Sequence, residues 1–291
     1  MAMTKIVPPS LYKYFGPERV VSIGSNKLRF SALSAFNDPF EGRPEIKGIA
    51  TTATLRNEIS SRLPKSLEIE YKKLPREVRA RMPLRQYLAV CKANSTRFVE
   101  GSISQFEPMA SKFASSVPDR LDPLNGALCL CESRDNLLMW AHYASSHTGY
   151  VVEYLTNNSY FNARRSENDE FYHLRQVQYE KYRPSASLTD LEGPELFLVK
   201  GEIWTYENEW RILKPLSDAS NVIDIKGQKI HLFEYSPSIV KSITVGARAS
   251  SDVIESLRLF IANNPANGHI QLEQAFPHDS EFKINFRALP I

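Results

Sequence analysis

Between residues 54 and 117 this chain reads as helix, whereas most of what flanks that stretch reads as short strands. This uneven order limits the fold more than any single motif. A doubly wound parallel sheet needs strands and helices in regular alternation, and here they do not alternate. The expected class is α+β: a mostly antiparallel, bent or split sheet carrying a basic helical insertion. At 291 residues the chain fits one large domain, 1–291, with the insertion at about 54–117.

The strand signals are short β-prone runs: aromatic in Leu11–Phe15, alternating in Leu28–Ser31 and continuously apolar in Ala127–Cys131. They cover Leu11–Phe15, Leu28–Ser31, Ala127–Cys131, Gly149–Tyr154 and Arg175–Tyr179. Further ones fall at 207–213, 222–225, 230–235, 239–245, 269–275 and 282–288. Short helices are expected from about Asn136 to Ser145, near Pro194 to Glu202, and over 251–263. Pro64, Pro75, Pro83 and Pro108 are expected to break the long helical block, because proline removes an amide donor and clashes with the preceding turn.

Charge is unevenly spread. Residues 1–100 hold 18 Lys/Arg against 9 Asp/Glu, and residues 101–291 hold 18 against 24. Between Arg56 and Arg97 there are 11 basic and 4 acidic residues. A surface of that kind could meet a nucleic-acid or protein acceptor, although solvated helix faces give the same composition. No apolar run approaches the roughly 18 residues that cross a bilayer, so no membrane partner is expected. Met1–Pro9 lacks the hydrophobic core of a secretory signal, and three cysteines make no disulfide framework. A reducing cytoplasm is the expected location.

Several constellations could carry chemistry. If 207–213 is a strand, Glu207, Glu209 and Arg211 share one face, with Trp210 and Ile212 on the other. Buried carboxylates and a guanidinium are costly unless paired or used, so this strand is a candidate cleft wall. A solvated face with a local ion pair is the alternative. On the 136–145 helix, Met139, His142 and Tyr143 share a broad face, and His147 follows just beyond it. Such rings could stack on a base or nicotinamide, or simply satisfy a helix core. Asn37-Asp38-Pro39-Phe40-Glu41-Gly42 is a polar turn that either caps local backbone or binds ligand. Cys129-x-Cys131 ahead of His142 and His147 has poor zinc spacing, and no metal site is assigned. Phosphate-binding glycine loops and the Gly-x-Ser-x-Gly elbow are absent, which disfavours P-loop, kinase, Rossmann and hydrolase readings.

Leu11-Tyr-Lys-Tyr14, Arg29-Phe-Ser31, Asn37-Asp-Pro-Phe-Glu41, Met139-Trp-Ala-His-Tyr143, Lys200 and Trp204-Thr-Tyr-Glu-Asn-Glu-Trp-Arg211 together resemble a large bacterial family known mainly as a domain of unknown function. The likeness runs in order from residue 11 to about 246. A more distant resemblance is to the ADP-ribosyltransferase superfamily, whose split sheet binds NAD and often presents Glu-x-Glu, as in Glu207-Asn208-Glu209. That resemblance implies NAD as substrate and Glu209 and Glu207 as the catalytic pair. Glu209 would hold the nicotinamide ribose and stabilise positive charge, and Glu207 would orient or deprotonate the acceptor. Lys13, Tyr14, Ser31, Asn37, Asp38, His142, Tyr143, His147 and Arg211 are the residues expected around the cofactor. A toxin or phage-defence role would follow from the same resemblance.

The superfamily's Ser-Thr-Ser motif has only Phe30-Ser31-Ala32-Leu33-Ser34 in its place, and its first-strand Arg or His is replaced by Lys13 or Tyr14. Two alternatives stay open. One is a magnesium-dependent nuclease or phosphodiesterase using Asp38, Glu41, Glu207 and Glu209, with Lys200 neutralising a phosphate. The other is a non-catalytic nucleotide-binding or interaction module.

Overall fold

The computed structural model describes residues 6–291 apart from Glu192 and Pro194. Met1–Lys5 and the Pro194 end of the helix expected near 194–202 therefore lie outside the described residues. In chain order come β1 (Ser10–Phe15), β2 (Lys27–Phe30), β3 (Glu45–Ile46), α1 (Thr52–Lys73), α2 (Arg76–Arg81), α3 (Leu84–Ala93) and α4 (Ser95–Leu121). Then follow β4 (Asn125–Cys131), α5 (Leu137–Tyr143), β5 (Tyr150–Leu155), β6 (Leu174–Gln176), β7 (Gln178–Glu180) and β8 (Ser185–Ala186). The chain continues through α6 (Glu195–Leu198), β9 (Val199–Gly201), β10 (Glu209–Pro215), β11 (Asn221–Ile225) and β12 (Gln228–Glu234). It closes with β13 (Val240–Val245), α7 (Ser251–Ala262), β14 (Gln271–Pro277) and β15 (Ile284–Ala288). The class is α+β.

The chain divides into two compact units. The first comprises 1–42, 121–183 and 194–291, and contains an eight-stranded sheet in the order β15-β14-β13-β5-β1-β4-β10-β6. Every neighbouring pair in it is antiparallel except β13–β14, which α7 connects. A three-stranded sheet, β11-β12-β2, is joined to it by a bridge in which Ser31 and Ala127 exchange both backbone hydrogen bonds. Burial drives this arrangement. Leu128 and Leu130 of β4, Val152 of β5, Ile212 of β10 and Ile243 of β13 pack with Val253, Leu257 and Ile261, the four-residue-spaced stripe of α7. On the opposite face α5 seats Trp140 edge-on to Tyr14, ring centroids 5.3 Å apart, beside Cys131, Val151 and Ala275.

One irregularity positions the site. β1 is registered with β5 over six residue pairs but with β4 only at Tyr12↔Cys131. Beyond that pair β1 and β4 part, and the Lys13 ammonium donates to the Cys129 carbonyl (3.0 Å), replacing a ladder bond. The tight approach of the neighbouring strand ends depends on Gly149, where a Cβ would stand 1.9 Å from the Phe15 carbonyl oxygen.

The second unit comprises 43–120 and 184–193: α1 to α4 with the small parallel pair β3–β8. Its core is Leu63, Val99 and Ile103, with Leu55, Ile59 and Leu67 packed against them. Pro75 and Pro83 stand at helix N-caps, but Pro64 and Pro108 lie inside α1 and α4 instead of breaking them. Each of these two removes one helical hydrogen bond and adds a ring clash, a cost of about 3 kcal/mol that the helix carries. Leu63 adjoins the first and buried Ala110 follows the second. The eleven basic side chains from Arg56 to Arg97 are all exposed.

Three further expectations need correction. Arg175–Tyr179 is two strands, β6 and β7, because Val177 donates its amide to the Glu209 carbonyl (2.9 Å) and β7 then turns to pair with β9. Among the described residues of the 194–202 region, 195–198 are α-helical; Val199–Gly201 pairs as β9, and Glu202–Glu207 forms a 3-10 turn. The strand expected over 207–213 begins at Glu209. Asn208, with φ of 43°, ends the 3-10 turn in the left-handed conformation that Asn tolerates better than most residues.

Candidate functional site

The left-handed turn at Asn208 brings together by another route what a continuous strand would have aligned. Glu207 arrives from the 3-10 turn and Glu209 from the first position of β10, and both carboxylates meet the Lys200 ammonium of β9, at 2.7 and 3.5 Å. Glu41, from the turn after β2, reaches the same ammonium at 2.9 Å. Arg211, fully buried on the Glu209 face of β10, completes the cluster. Its Nε and Nη2 donate to the two Glu209 oxygens (2.7 and 2.8 Å), its Nη2 also to Glu41 (2.5 Å), and its Nη1 to the Phe197 carbonyl (2.8 Å). Three carboxylates and two cations are thus buried in one network, an arrangement stable only because every charge is met.

The electrostatics divide the acids. Burial by itself would raise the Glu209 carboxyl, but the charge and hydrogen bonds of Arg211, then Lys200, hold it down at about 2. Glu41 is raised, because burial outweighs the attraction of Arg211 and Lys200. Lys200 is raised as well: burial opposes its charge, and Glu209, Glu41 and Glu207 more than restore it.

A folded value below the ordinary 4.5 means that the Glu209 contribution is present above about pH 4.5 and is lost as pH falls toward 2. At about 1.36 kcal/mol per unit that contribution is on the order of 3 kcal/mol. The stability gap between wild type and Glu209→Gln, followed by urea unfolding, is therefore expected to narrow as pH falls from about 5 to about 2. A gap constant across that range would contradict the assignment.

Beside the network lies a cavity of about 550 Å³, in the range that holds a nucleotide-sized ligand. It opens where β1 and β4 part. Tyr12, Lys13 and Tyr14 come from β1, Arg29 and Ser31 from β2 and its extension, Phe36 and Asn37 from the following turn, and Cys129 and Cys131 from β4. Met139, His142 and Tyr143 of α5 face Lys200, Glu207 and Glu209 across it. The Tyr143 hydroxyl donates to Glu207 Oε1 (2.5 Å) and receives Asn37 Nδ2 (3.2 Å). Burial raises the Tyr143 phenol, and Glu207 adds to the rise against Lys200. α5 is fixed over this point by Asn136, whose Oδ1 caps its first turn and whose Nδ2 donates to the Tyr206 carbonyl (2.9 Å).

The sequence candidates separate accordingly. Lys13, Tyr14, Ser31, Asn37, His142, Tyr143, Glu207 and Glu209 converge on the cavity. Arg211 stands behind it, wholly covered. Asp38 accepts the Phe40 amide (2.9 Å) and shapes the turn that delivers Glu41. His147 turns away, stacked on Trp140 at 5.9 Å, with φ of 70°. Burial and the nearby Arg248 lower its pKa. The Lys200 ammonium fills the space among Glu41, Glu207 and Glu209. Among the described residues no group of three or more His, Cys, Asp or Glu is arranged to hold a metal ion.

Sequence reasoning missed Arg29, Phe36 and Tyr179, whose hydroxyl accepts the Glu209 amide (2.8 Å). The strand period marks the side of β2 on which Arg29 lies, but nothing in the sequence marks it as unpaired.

A family model described as "Protein of unknown function (DUF2971)" matches residues 139–212. The matched stretch runs from α5 into β10 and includes Tyr143, Lys200, Glu207, Glu209 and Arg211; Lys13, Arg29 and Glu41 lie outside it. No curated protein and no solved structure matches the chain.

Proposed function

We propose that this chain is an NAD-consuming enzyme of the ADP-ribosyltransferase type, a transferase or NAD glycohydrolase, with the cavity beside the charged network as its nicotinamide-ribose site. The observation that carries this reading is the pair of carboxylates, Glu207 and Glu209, on a cavity wall that also presents aromatic side chains, each held in place by the buried network of Lys200, Glu41 and Arg211 behind it. A carboxylate fixed in a largely dry wall stabilises positive charge that develops beside it. In the reaction the ribose C1′–nitrogen bond breaks and its electron pair leaves on nicotinamide, which becomes neutral while positive charge passes to the ribose. An acceptor hydroxyl or water adds to C1′ and gives its proton to Glu207.

Glu209, held ionised by Arg211, supplies the standing negative charge. Tyr143 orients Glu207, and Tyr14 and Phe36 offer faces for the nicotinamide and ribose. The basic surface between Arg56 and Arg97 is the region proposed to meet a nucleic-acid or protein acceptor, in keeping with the toxin or phage-defence role such activity would serve.

Purified protein incubated with NAD is expected to release nicotinamide, and folded Glu209→Gln to release none above background. Absence of release from wild type, with RNA, DNA or cell lysate supplied in turn as acceptor, would overturn the reading. A second reading, a non-catalytic nucleotide-binding module, draws support from the two Arg211 hydrogen bonds that already occupy both Glu209 oxygens. It is distinguished by a Glu209→Gln variant that weakens NAD binding while wild type shows no turnover.

A further inference from the structure

A second cavity, of about 300 Å³, adjoins the first and shares Lys13, Tyr14, Arg29, Ser31 and Tyr143 with it. Its charge is one-sided. Lys13, Arg19, Lys27 and Arg29 line it, and Glu18 is the one carboxylate among its lining residues. Glu18 lies 3.8 Å from Arg19, and Lys27 is 3.5 Å from Glu234 outside the lining.

Neither of the remaining two cations is in an ion pair among the described residues, and Arg29 has no carboxylate near it. Among the described residues Lys13 donates only to a backbone carbonyl, and Arg29, half-buried on β2, makes no hydrogen bond or ion pair; its Nε is buried without an acceptor. Burial lowers the pKa of both cations; Arg29 also feels the like charge of Arg19, whereas Lys13 feels the opposite charge of Glu209 and, less, the like charge of Arg29. Cations that crowd a concave, partly desolvated wall without a counter-charge are unfavourable until an anion enters. A guanidinium with free donors is the group best suited to grip a phosphate through two bonds.

We infer that the smaller cavity is a phosphate-binding subsite with Arg29 at its centre, flanked by Lys13, Arg19 and Lys27. Resting on the function proposed above, the phosphate it seats belongs to the acceptor. Tyr143 lies in the wall common to both cavities and donates to Glu207, so an acceptor hydroxyl entering from this side meets the base that takes its proton.

The test titrates the full chain with inorganic pyrophosphate by calorimetry, without NAD, at low and moderate salt. Wild type is expected to bind, more weakly as salt rises. Arg29→Gln should bind roughly tenfold more weakly or worse, the usual scale for a lost charge-assisted bond, and Arg19→Gln, which lines only the smaller cavity, should weaken binding as well. Arg29→Gln should also melt no lower than wild type, because it removes a repelled charge and no partner; a structural arginine would lower the melting temperature. No binding by wild type, or binding that Arg29→Gln leaves unchanged, overturns the site. A loss confined to Arg29→Gln and absent from Arg19→Gln places the anion in the larger cavity and equally overturns it. Pyrophosphate binding without nicotinamide release would leave this subsite standing while the NAD reading fails. To identify the acceptor, a 5′-phosphorylated oligonucleotide and a free nucleoside monophosphate are then compared as competitors of pyrophosphate: displacement by either supports the subsite and names its source, and displacement by neither overturns the acceptor assignment.

Discussion

Replacing Arg211 with methionine is expected to destabilise the protein by about 3–5 kcal/mol, the scale for removing one partner from a buried ion pair. The guanidinium is wholly buried and makes four hydrogen bonds, three of them to the carboxylates of Glu209 and Glu41. Without it, Lys200 alone faces three acids. The fold then has to protonate one of them or admit water, and both cost stability because β10 lies within the sheet between β4 and β6. Denaturant unfolding of the single variant checks the magnitude. The double variant Arg211→Met with Glu209→Gln, which removes a stranded charge, is expected to recover part of the loss, with a coupling of about 0.5–3 kcal/mol. A single-variant cost below about 1 kcal/mol, or strictly additive losses, would show the network to be solvated and not the buried unit described above.

How much of this could be read from residue order follows from the range of each interaction. Short apolar or aromatic runs such as β1, β4, β5 and β13, and the helix α7 with its four-residue stripe, declare themselves locally, because one short window contains the pattern. The Glu209–Arg211 face was readable for the same reason: it obeys period two within β10. Glu207 was not, since its position depends on a left-handed Asn208. Nor was the splaying of β1 from β4 after Tyr12↔Cys131, which makes the cavity. Glu41 joins Arg211 across 170 positions of sequence, and no window short enough to show periodicity contains both. The prolines inside α1 and α4 fail in the other direction: a strong local signal is overridden by packing that only the assembled helices supply. Arg29 is the extreme case, because what distinguishes it is the lack of a partner, a property of the neighbours and not of the strand that carries it.

For the chemistry, Glu207→Gln is expected to lower kcat for transfer from NAD by about 10²- to 10⁴-fold, the usual contribution of a positioned general base, and to leave KM for NAD nearly unchanged. Glutamine keeps the shape of the side chain and an oxygen that can accept from the Tyr143 hydroxyl, and Lys200 keeps Glu41 and Glu209 as counter-charges, so the wall survives while the proton acceptor is lost. Glu209→Gln should act differently. Its carboxylate is bound by Arg211 and lies beside Lys200, so the substitution weakens the standing field and destabilises the network together, and its kinetic effect has to be read at a temperature where the variant remains folded. Tyr143→Phe separates positioning from proton transfer. It removes the hydrogen bond that aims Glu207 but leaves the base itself, and a smaller loss of about tenfold is expected, consistent with one hydrogen bond to a charged group. Measured side by side, the order of effects is the test: Glu207→Gln well below Tyr143→Phe in kcat, with KM for NAD nearly constant across both. If Glu207→Gln stays within threefold of wild type while Glu209→Gln is inactive though folded, Glu207 serves only to hold Lys200 and Tyr143, and the base must be sought elsewhere on the cavity wall.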